Sequence, residues 1–319
     1  MTPSVRVAIL TYRRPEDIAA AIPRLVAEAE LAVAEGWDVD ILVVDNDPEA
    51  SARETVARSS EGSPIPVHYE VEPVSGIAAA RNRALDVSVD RDLLVYIDDD
   101  ERPVERWLLL LLEAHLTYAS AVVGPVISQF DREPESWITA GGFFTRRRMP
   151  TGSPVVVAAT NNLLLDLRQV REFGLSFDLD FGLSGGSDTL FTRQLTAKGG
   201  RMVWCDEAIV YDIVPANRAT RRWVLLRALR SGTSWSATSL RVARSVPQRL
   251  WWQAKDFGSG IARVGWGLVR LLVGIVTRSE RLRASGARNL ARGAGLAAGV
   301  FGYRYHEYKR SRFRLVPWP

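Results

Sequence analysis

The sequence predicts an α/β fold in which a mostly parallel sheet lies between two layers of helices, followed by a basic helical region. Short apolar segments of strand-forming residues alternate with alanine-rich helical segments through the first half of the chain, which is typical of βαβ units. One of these segments, at residues 93–97, contains only Leu, Val, Tyr and Ile, as expected of a strand that is buried on both faces.

The predicted elements follow one another at short intervals. Strands are predicted at residues 6–10, 39–44, 67–71, 93–97 and 122–126. A first helix is predicted from residue 15 to about residue 35 with a bend at Pro23, and a second at residues 50–59. No Gly-x-Gly-x-x-Gly motif follows the first strand, which argues against a dinucleotide-binding fold of the usual kind.

Cysteine and histidine usage limits the class of protein. Cys205 is the single cysteine among 319 residues, so no disulfide forms within the chain and we expect a reducing compartment. His68, His115 and His306 show no metal-ligand spacing. The first residues run directly into a predicted strand without a basic leader and apolar core, and we therefore expect no secretion signal.

Charge divides the chain near residue 214. Residues 214–319 carry 21 Lys and Arg against three Asp and Glu, a net charge of +18, whereas residues 1–213 carry a net charge of −14. We therefore expect one domain at residues 1–213 and a separate basic region at residues 214–319. An anionic surface is the expected partner of the basic region.

Three consecutive carboxylates, Asp98, Asp99 and Asp100, follow the fourth predicted strand. Adjacent carboxylates repel one another, so this cluster requires a counter-charge. Mg²⁺ or Mn²⁺ would provide it, because both bind carboxylate oxygens and keep positions for substrate phosphate. An acidic turn is the alternative for the motif taken alone. Thr11 and Asp45 end the first two strands, and ligands of parallel sheets bind at such ends, so we expect one crevice.

Four segments occur in the order of a known enzyme family. They read Thr-Tyr-Arg-Arg-Pro at residues 11–15, Val-Val-Asp-Asn at 43–46, Gly-Ile-Ala-Ala-Ala-Arg-Asn at 76–82 and Tyr-Ile-Asp-Asp-Asp-Glu at 96–101. With Trp107-Leu108 after them, they make residues 5–215 resemble a family 2 glycosyltransferase of the GT-A fold. One motif alone is weak, but four in this order are specific. The resemblance implies a Rossmann-like catalytic domain that binds the nucleotide-sugar at residues 1–126 and the acceptor at residues 127–213.

The resemblance also implies roles for residues on the donor side. The implied donor-nucleotide residues are Thr11, Arg13, Asp45, Gly76, Arg81, Asp98 and Asp99. From the residues alone, Arg81 would be a solvent-facing side chain on an amphipathic helix. The implied ligands of Mn²⁺ or Mg²⁺ are Asp98, Asp100 and Asp212, of which Asp212 stands where relatives often have a histidine. The metal would bridge the two phosphates and neutralise the charge of the departing diphosphate.

On the acceptor side, Ser187-Asp188 follows two glycines and opens a predicted helix at residues 189–198. Taken alone, Asp188 is a helix cap. The family places its catalytic base here, usually as Glu-Asp, and Ser187 stands in place of the Glu. The resemblance therefore implies that Asp188 takes the proton of the acceptor hydroxyl in an inverting transfer. The implied acceptor-binding residues are Asn161, Asn162 and Ser187, with turn amides as the alternative for the two asparagines.

A loop at residues 141–153 contains Arg146, Arg147 and Arg148. It would cover the donor diphosphate or meet an anionic acceptor, and a solvated run of charge is the alternative.

The basic region combines arginines with apolar and tryptophan-rich segments. Its apolar runs at residues 264–276 and 290–303 each contain an arginine and are shorter than the roughly 20 residues of a spanning helix. Such helices lie in a membrane interface and are attracted to anionic lipid. Packing on the body, or between two copies of the chain, is the alternative. No recognition motif accompanies the charge, which argues against nucleic acid as a partner.

These observations predict a metal-dependent, inverting glycosyltransferase that uses a nucleotide-sugar, a UDP-sugar above others. Its acceptor would be a glycan or a lipid-linked glycan of the cell envelope, and its place the cytoplasm at the inner face of the membrane. One alternative is a sugar-nucleotide nucleotidyltransferase, which normally has a Gly-rich basic loop after its first strand. The other is a non-catalytic nucleotide- or glycan-binding protein. Ser187 and Asp212 favour this alternative, because both differ from the usual residues of the family.

Overall fold

The structure, a computed structural model, describes residues 3–304, so His306 and residues 305–319 of the basic region lie outside it. The strands are β1 (Ser4–Thr11), β2 (Asp38–Asp45), β3 (Val67–Val71), β4 (Leu93–Asp98), β5 (Glu101–Pro103), β6 (Ala121–Val123), β7 (Val126–Phe130), β8 (Asn162–Asp166), β9 (Met202–Trp204) and β10 (Val210–Val214). The helices are α1 (Pro15–Ala34), α2 (Arg53–Ser59), α3 (Ile77–Asp86), α4 (Trp107–Tyr118), α5 (Ser136–Ala140), α6 (Leu167–Glu172), α7 (Ser187–Ala197), α8 (Arg221–Val242), α9 (Val246–Val276) and α10 (Glu280–Gly299).

Seven strands form the main sheet, in the order β3-β2-β1-β4-β8-β6-β9. The first four are parallel to one another, and β8 is antiparallel to both of its neighbours. The predicted mostly parallel sheet is therefore confirmed. Thr11 lies beside Asp45 and Leu10 beside Asp98, so the carboxyl ends of three adjacent strands share one edge.

The central strands are buried on both faces, as predicted from their composition. Along β1, Ile9 belongs to a hydrophobic cluster with Trp107 of α4, whereas Leu10 belongs to a second cluster with Phe177 on the opposite face. Successive side chains of a strand point to opposite faces, so an unbroken apolar run contributes to both layers. Each fully buried large apolar side chain stabilises the fold by about 1.5–3 kcal/mol.

A second sheet of three strands, in the order β5-β10-β7, extends from the acidic motif. Across it, Asp212 lies beside Glu101 on one side and Ser128 on the other. The strand predicted at residues 122–126 is divided between the two sheets, and Gly124 lies between β6 and β7. A Cβ atom at Gly124 would lie 2.2 Å from the side-chain nitrogen of Asn162, so only glycine fits there.

The three C-terminal helices form one layer whose backbones are in contact. α9 is 31 residues long, much longer than the apolar run at residues 264–276, and three of its glycines recur every seventh residue. A Cβ atom at Gly260 would lie 2.8 Å from the carbonyl oxygen of Gly293 of α10, and one at Gly267 would lie 2.9 Å from that of Gly286. Glycines allow such close approach of helices.

A buried polar cluster joins α7 to this layer. Arg193 of α7 donates a hydrogen bond of 3.1 Å to the hydroxyl of Ser239 of α8. Its guanidinium carbon lies 5.0 Å from the ring centroid of Trp235 and 5.2 Å from that of Trp252. Burial lowers the pKa of Arg193, and the charge of the buried Asp256 of α9 opposes that shift. The helix that begins with Ser187-Asp188 is therefore attached to both α8 and α9.

Candidate active site

Arginines neutralise two of the three carboxylates of the acidic motif. The buried Asp99 accepts a hydrogen bond of 2.8 Å from the hydroxyl of Thr11 and one of 2.9 Å from Nη1 of Arg14. Oδ2 of Asp100 lies 3.0 Å from the same Nη1 of Arg14 and 3.1 Å from Nη1 of Arg218. Burial alone would lower the pKa of Arg14, but attraction to Asp99 and Asp100 outweighs it and raises that pKa.

The third carboxylate, Asp98, has no hydrogen-bond or ion-pair partner for its side chain within residues 3–304. Burial raises the pKa of Asp98 to about 7, repulsion from Asp100 and Asp212 adds to the rise, and Arg81 opposes it. Asp100, Asp212 and Arg81 are therefore close enough to Asp98 to affect its charge. A half-buried carboxylate that has no partner and lies near other carboxylates is a position where a cation would be stabilised.

The raised pKa of Asp98 makes the donor-free protein less stable as the pH rises from about 4 to 7, because only the folded state retains that proton. We therefore expect Asp98→Asn to raise the melting temperature at pH 8 and to flatten its dependence on pH. The rise of the pKa from 3.8 to about 7 limits the gain to at most about 4 kcal/mol. Thermal denaturation between pH 5 and 8 would measure it, with the exposed Asp131→Asn as control. Equal pH profiles of Asp98→Asn and wild type would contradict this expectation.

Asp212 has an arginine as its partner. Nη2 of Arg146 lies 2.6 Å from Oδ2 of Asp212, which places the basic loop at the crevice. In the part of the chain that the structure describes, no group of three or more His, Cys, Asp or Glu side chains could hold a metal. Proteins usually hold Mg²⁺ through one or two carboxylates and the substrate phosphates. Asp98 and Asp100 therefore fit a divalent cation without Asp212.

Hydrogen bonds hold Asp45 within the loop after β2, and its predicted donor contact stays a prediction. Its carboxylate is fully buried and accepts from the backbone of Asp47 at 3.0 Å, the backbone of Ala52 at 2.9 Å and the hydroxyl of Tyr69 at 2.7 Å. These bonds use both of its oxygens, so Asp45 fixes the loop after β2. Arg13 lies at the exposed rim, where its Nε donates to Asp47 at 2.8 Å.

Donor and acceptor sides meet between α3 and α7. Gly76, at the start of α3, has φ +124° and its Cβ position lies 3.2 Å from the backbone of Gly182, so a larger residue would be strained there. Arg81 of α3 donates a hydrogen bond of 2.7 Å to the hydroxyl of Ser187, and both side chains are buried. The predicted solvent-facing alternative for Arg81 is therefore wrong.

Asp188 lies in the first turn of α7, after Gly185 and Gly186 with φ +76° and +100°. Its Oδ1 accepts a hydrogen bond of 2.7 Å from the backbone of Thr189. Its Oδ2 has no such partner among the residues described. The N-terminus of a helix stabilises a carboxylate, and Asp188 is half-buried there.

The two asparagines on the acceptor side differ. Nδ2 of Asn161 donates to Glu101 at 2.7 Å, beside the acidic motif. Asn162 is buried, and its amide donates to the carbonyl of Ala208 at 2.8 Å and accepts from the indole of Trp107 at 2.9 Å. The polar atoms of the Asn162 amide thus have partners within the protein, and its predicted acceptor contact stays a prediction.

Sequence reasoning did not identify Arg14 and Arg218. Arg14 belongs to the same motif as Arg13 and directly precedes α1, and the choice between the two arginines depends on which one points to the acidic motif. Arg218 lies 118 residues from Asp100 in the sequence. Its stretch was assigned by composition to the basic region, and no local pattern indicates the contact.

Comparison with known proteins agrees with this geometry. The family model described as glycosyl transferase family 2 matches residues 6–166. The succinoglycan biosynthesis protein ExoM of Rhizobium meliloti (strain 1021) is 36% identical over 229 residues, which cover 72% of each protein. The chain belongs to glycosyl transferase family 2. It is therefore a glycosyltransferase, and the nucleotidyltransferase and non-catalytic alternatives are not supported.

Solved structures resemble this family 2 glycosyltransferase in fold. The mannosyltransferase PcManGT from Pyrobaculum calidifontis, in complex with GDP-Man and Mn²⁺, has a TM-score of 0.56 at 15% identity and covers 92% of this chain and 86% of its own. TarS 1-349 from S. aureus, in complex with UDP-GlcNAc, has a TM-score of 0.52 at 13% identity and covers 91% and 90%. The predicted GT-A fold is confirmed.

Proposed function

We propose that this family 2 glycosyltransferase is a metal-dependent, inverting enzyme that transfers a sugar from a nucleoside-diphosphate donor to a hydroxyl of a glycan or lipid-linked acceptor. One observation carries the proposal. The hydrogen bond between Arg81 and Ser187 connects α3 to the residue beside Asp188, which supports one crevice for Asp98 and Asp188.

The cation and the donor class have separate support. Asp98 and Asp100 present oxygens that suit Mn²⁺ or Mg²⁺, and a structural neighbour contains Mn²⁺ with GDP-Man. A divalent cation held there would offset the charge of the departing diphosphate. Thr11 and Asp99 are bonded to each other beside it and would bind the nucleoside. A second neighbour contains UDP-GlcNAc, and we favour a UDP-sugar.

Asp188 would act as the general base in this scheme. Its Oδ2 accepts the proton of the acceptor hydroxyl, and the hydroxyl oxygen then forms a bond with the anomeric carbon of the donor sugar. The bond from that carbon to the diphosphate oxygen breaks on the opposite face, and the diphosphate keeps the electron pair. The configuration at the anomeric carbon is thereby inverted. Ser187, fixed by Arg81, would position the loop that carries Asp188.

Release of nucleoside diphosphate from a panel of sugar nucleotides would test the proposal. We expect turnover with a UDP-sugar in the presence of Mn²⁺ or Mg²⁺ and loss of turnover in EDTA. A relative that acts in succinoglycan biosynthesis makes lipid-linked envelope oligosaccharides the acceptors to add first. Undiminished transfer in EDTA would refute metal dependence, and activity with a GDP-sugar alone would refute the choice of nucleotide.

We also propose that the enzyme is cytoplasmic and peripheral to the inner face of the cell membrane, and that α9 is the contact. Among the helices described, α9 is the one that is long and apolar enough to cross a membrane by length and composition. Away from the buried Gly260, Gly267 and Gly274, α9 exposes large apolar side chains. They include Leu250, Trp251, Phe257, Ile261, Trp266, Leu268, Leu272 and Val276. The exposed Arg244, Arg249, Arg263 and Arg278 would add attraction to anionic lipid.

Vesicles of phosphatidylglycerol and phosphatidylcholine would test this contact. We expect the double variant Leu268→Glu, Leu272→Glu to lower vesicle binding by roughly tenfold or more, because two exposed apolar side chains would no longer enter the lipid. Leu116→Glu, at a similarly exposed leucine of α4, is the matched control. Equal sedimentation of all three proteins with vesicles would refute the role of α9. Point variants are preferable to deletion of residues 214–319, which would remove Arg218 from the acidic motif.

A further inference from the structure

Two arginines from distant parts of the chain converge on one oxygen atom of the acidic motif. Arg14 precedes α1 and Arg218 precedes α8, and the Nη1 atoms of both lie within 3.1 Å of Oδ2 of Asp100. Two guanidinium groups thus supply positive charge at the carboxylate that would bind a divalent cation. A cation that binds this oxygen has to displace them, because like charges cannot share it.

Both arginines are able to move and to bind something else. The side chains of Arg14 and Arg218 are 35% and 31% exposed, and a guanidinium has five N–H donors. Among the residues described, the side-chain contacts of both arginines use Nη1 alone. Arg102 differs, because its Nη1 is held by the backbone carbonyls of Asp99 and Glu101 at 2.8 and 2.7 Å. Arg14 and Arg218 therefore retain donors that suit the paired oxygens of a diphosphate.

We propose that Arg14 and Arg218 are exchangeable counter-charges that bind the diphosphate of the donor. In the donor-free enzyme they neutralise Asp100. When the cation arrives with the donor, they leave Asp100 and donate hydrogen bonds to the diphosphate oxygens. The inference rests on the proposed function for the donor class and for the cation. It adds two donor-binding residues and the order in which they leave Asp100 and bind the diphosphate.

Charge balance favours this exchange. Two guanidinium groups carry the same total charge as one divalent cation, so the carboxylates are compensated before and after the donor binds. The diphosphate, which arrives with its own negative charge, receives both arginines when they leave Asp100. An unpaired charge in a partly buried site is costly, and this exchange avoids one at Asp100 both before and after the donor binds. Asp99, which also accepts from Thr11, retains a partner when Arg14 leaves.

Arg218→Ala and Arg218→Gln test the exchange through two affinities, one for Mn²⁺ and one for UDP. If Arg218 had a structural role only, its loss would not change the two affinities in opposite directions. Calorimetric titration with Mn²⁺ alone should show tighter binding to both variants, by about fivefold to tenfold, because one competing cation is gone. Titration with UDP at saturating Mn²⁺, where the cation has displaced both arginines from Asp100, should show weaker binding, by about tenfold, because one charge-assisted hydrogen bond is lost. Arg222→Ala, at an exposed arginine of α8, is the matched control and should change neither affinity.

The outcomes separate this inference from the proposed function. Opposite changes in the two affinities support the exchange. Equal changes in one direction, or no change in either, overturn it, even if wild-type enzyme binds UDP in the presence of Mn²⁺. If wild type binds neither UDP nor GDP with or without Mn²⁺, the proposed donor class fails and the exchange fails with it.

Discussion

Asp188→Asn is expected to lower sugar transfer by about 10²–10⁴-fold, the range that a positioned general base contributes. Asparagine has nearly the same shape as aspartate and keeps an oxygen that accepts from the backbone of Thr189, so the start of α7 should persist. It cannot take a proton from the acceptor hydroxyl. Initial rates with saturating donor and acceptor would measure the loss.

Donor binding provides the control for this variant. Asp188 contacts none of the arginines or carboxylates of the acidic motif through the hydrogen bonds described, so the affinity for UDP with Mn²⁺ should match that of wild type. Asp180→Asn, at an exposed carboxylate near the same loop, should retain full turnover. Wild-type rates in Asp188→Asn would remove it as the base.

Asp100→Ala is expected to abolish the metal-dependent part of nucleotide affinity. Loss of groups that merely support a metal ligand already costs about 10–100-fold in metal affinity, so loss of the ligand itself should cost at least that much. UDP binding at increasing Mn²⁺ would measure it by calorimetry. The same variant releases Arg14 and Arg218 from Asp100, so UDP binding in EDTA should persist.

Asp90→Ala is the matched control, because this carboxylate is exposed and distant from the crevice. An unchanged dependence of UDP affinity on Mn²⁺ in Asp100→Ala would contradict the assignment of Asp100 as a ligand. Loss of UDP binding in EDTA together with loss of the Mn²⁺ effect would show instead that the variant has damaged the whole crevice.

The parts of the fold that sequence reasoning found are those with local signals. β4 is an almost unbroken apolar run because it is buried on both faces, and Asp98 is its last residue. The sequence predicts one continuous strand across residue 124, where the structure has two. Glycine is required there because the side chain of Asn162, 38 positions further along, fills the space of a Cβ atom. α9 was underestimated, because Arg270 and the glycines interrupt its apolar run while its hydrogen-bonded backbone continues.

The same distinction explains the candidate site. The acidic motif and Asp188 occur beside recognisable neighbours, so they could be located from the sequence. Asp45 and Asn162 also occur in motifs, but a motif does not say whether a side chain supports a loop or faces a ligand, and here both are buried. Arg218 approaches Asp100 only after the chain has passed through the whole acceptor side, and the pairing of Arg146 with Asp212 likewise depends on tertiary structure.

The glycine contacts between α9 and α10 have a mechanical consequence. Backbone lies against backbone at Gly260, Gly267 and Gly286 in that seam, so we expect the two helices to move together. Arg193 of α7 contacts Ser239 of α8 and Trp252 of α9, so α7 should move with them. If lipid lies against α9, we expect a fixed distance between Asp188 and the surface of the bilayer. The enzyme would then select acceptors by the distance between their lipid anchor and the hydroxyl that receives the sugar. Transfer rates to lipid-anchored glycans of increasing length would measure this selection.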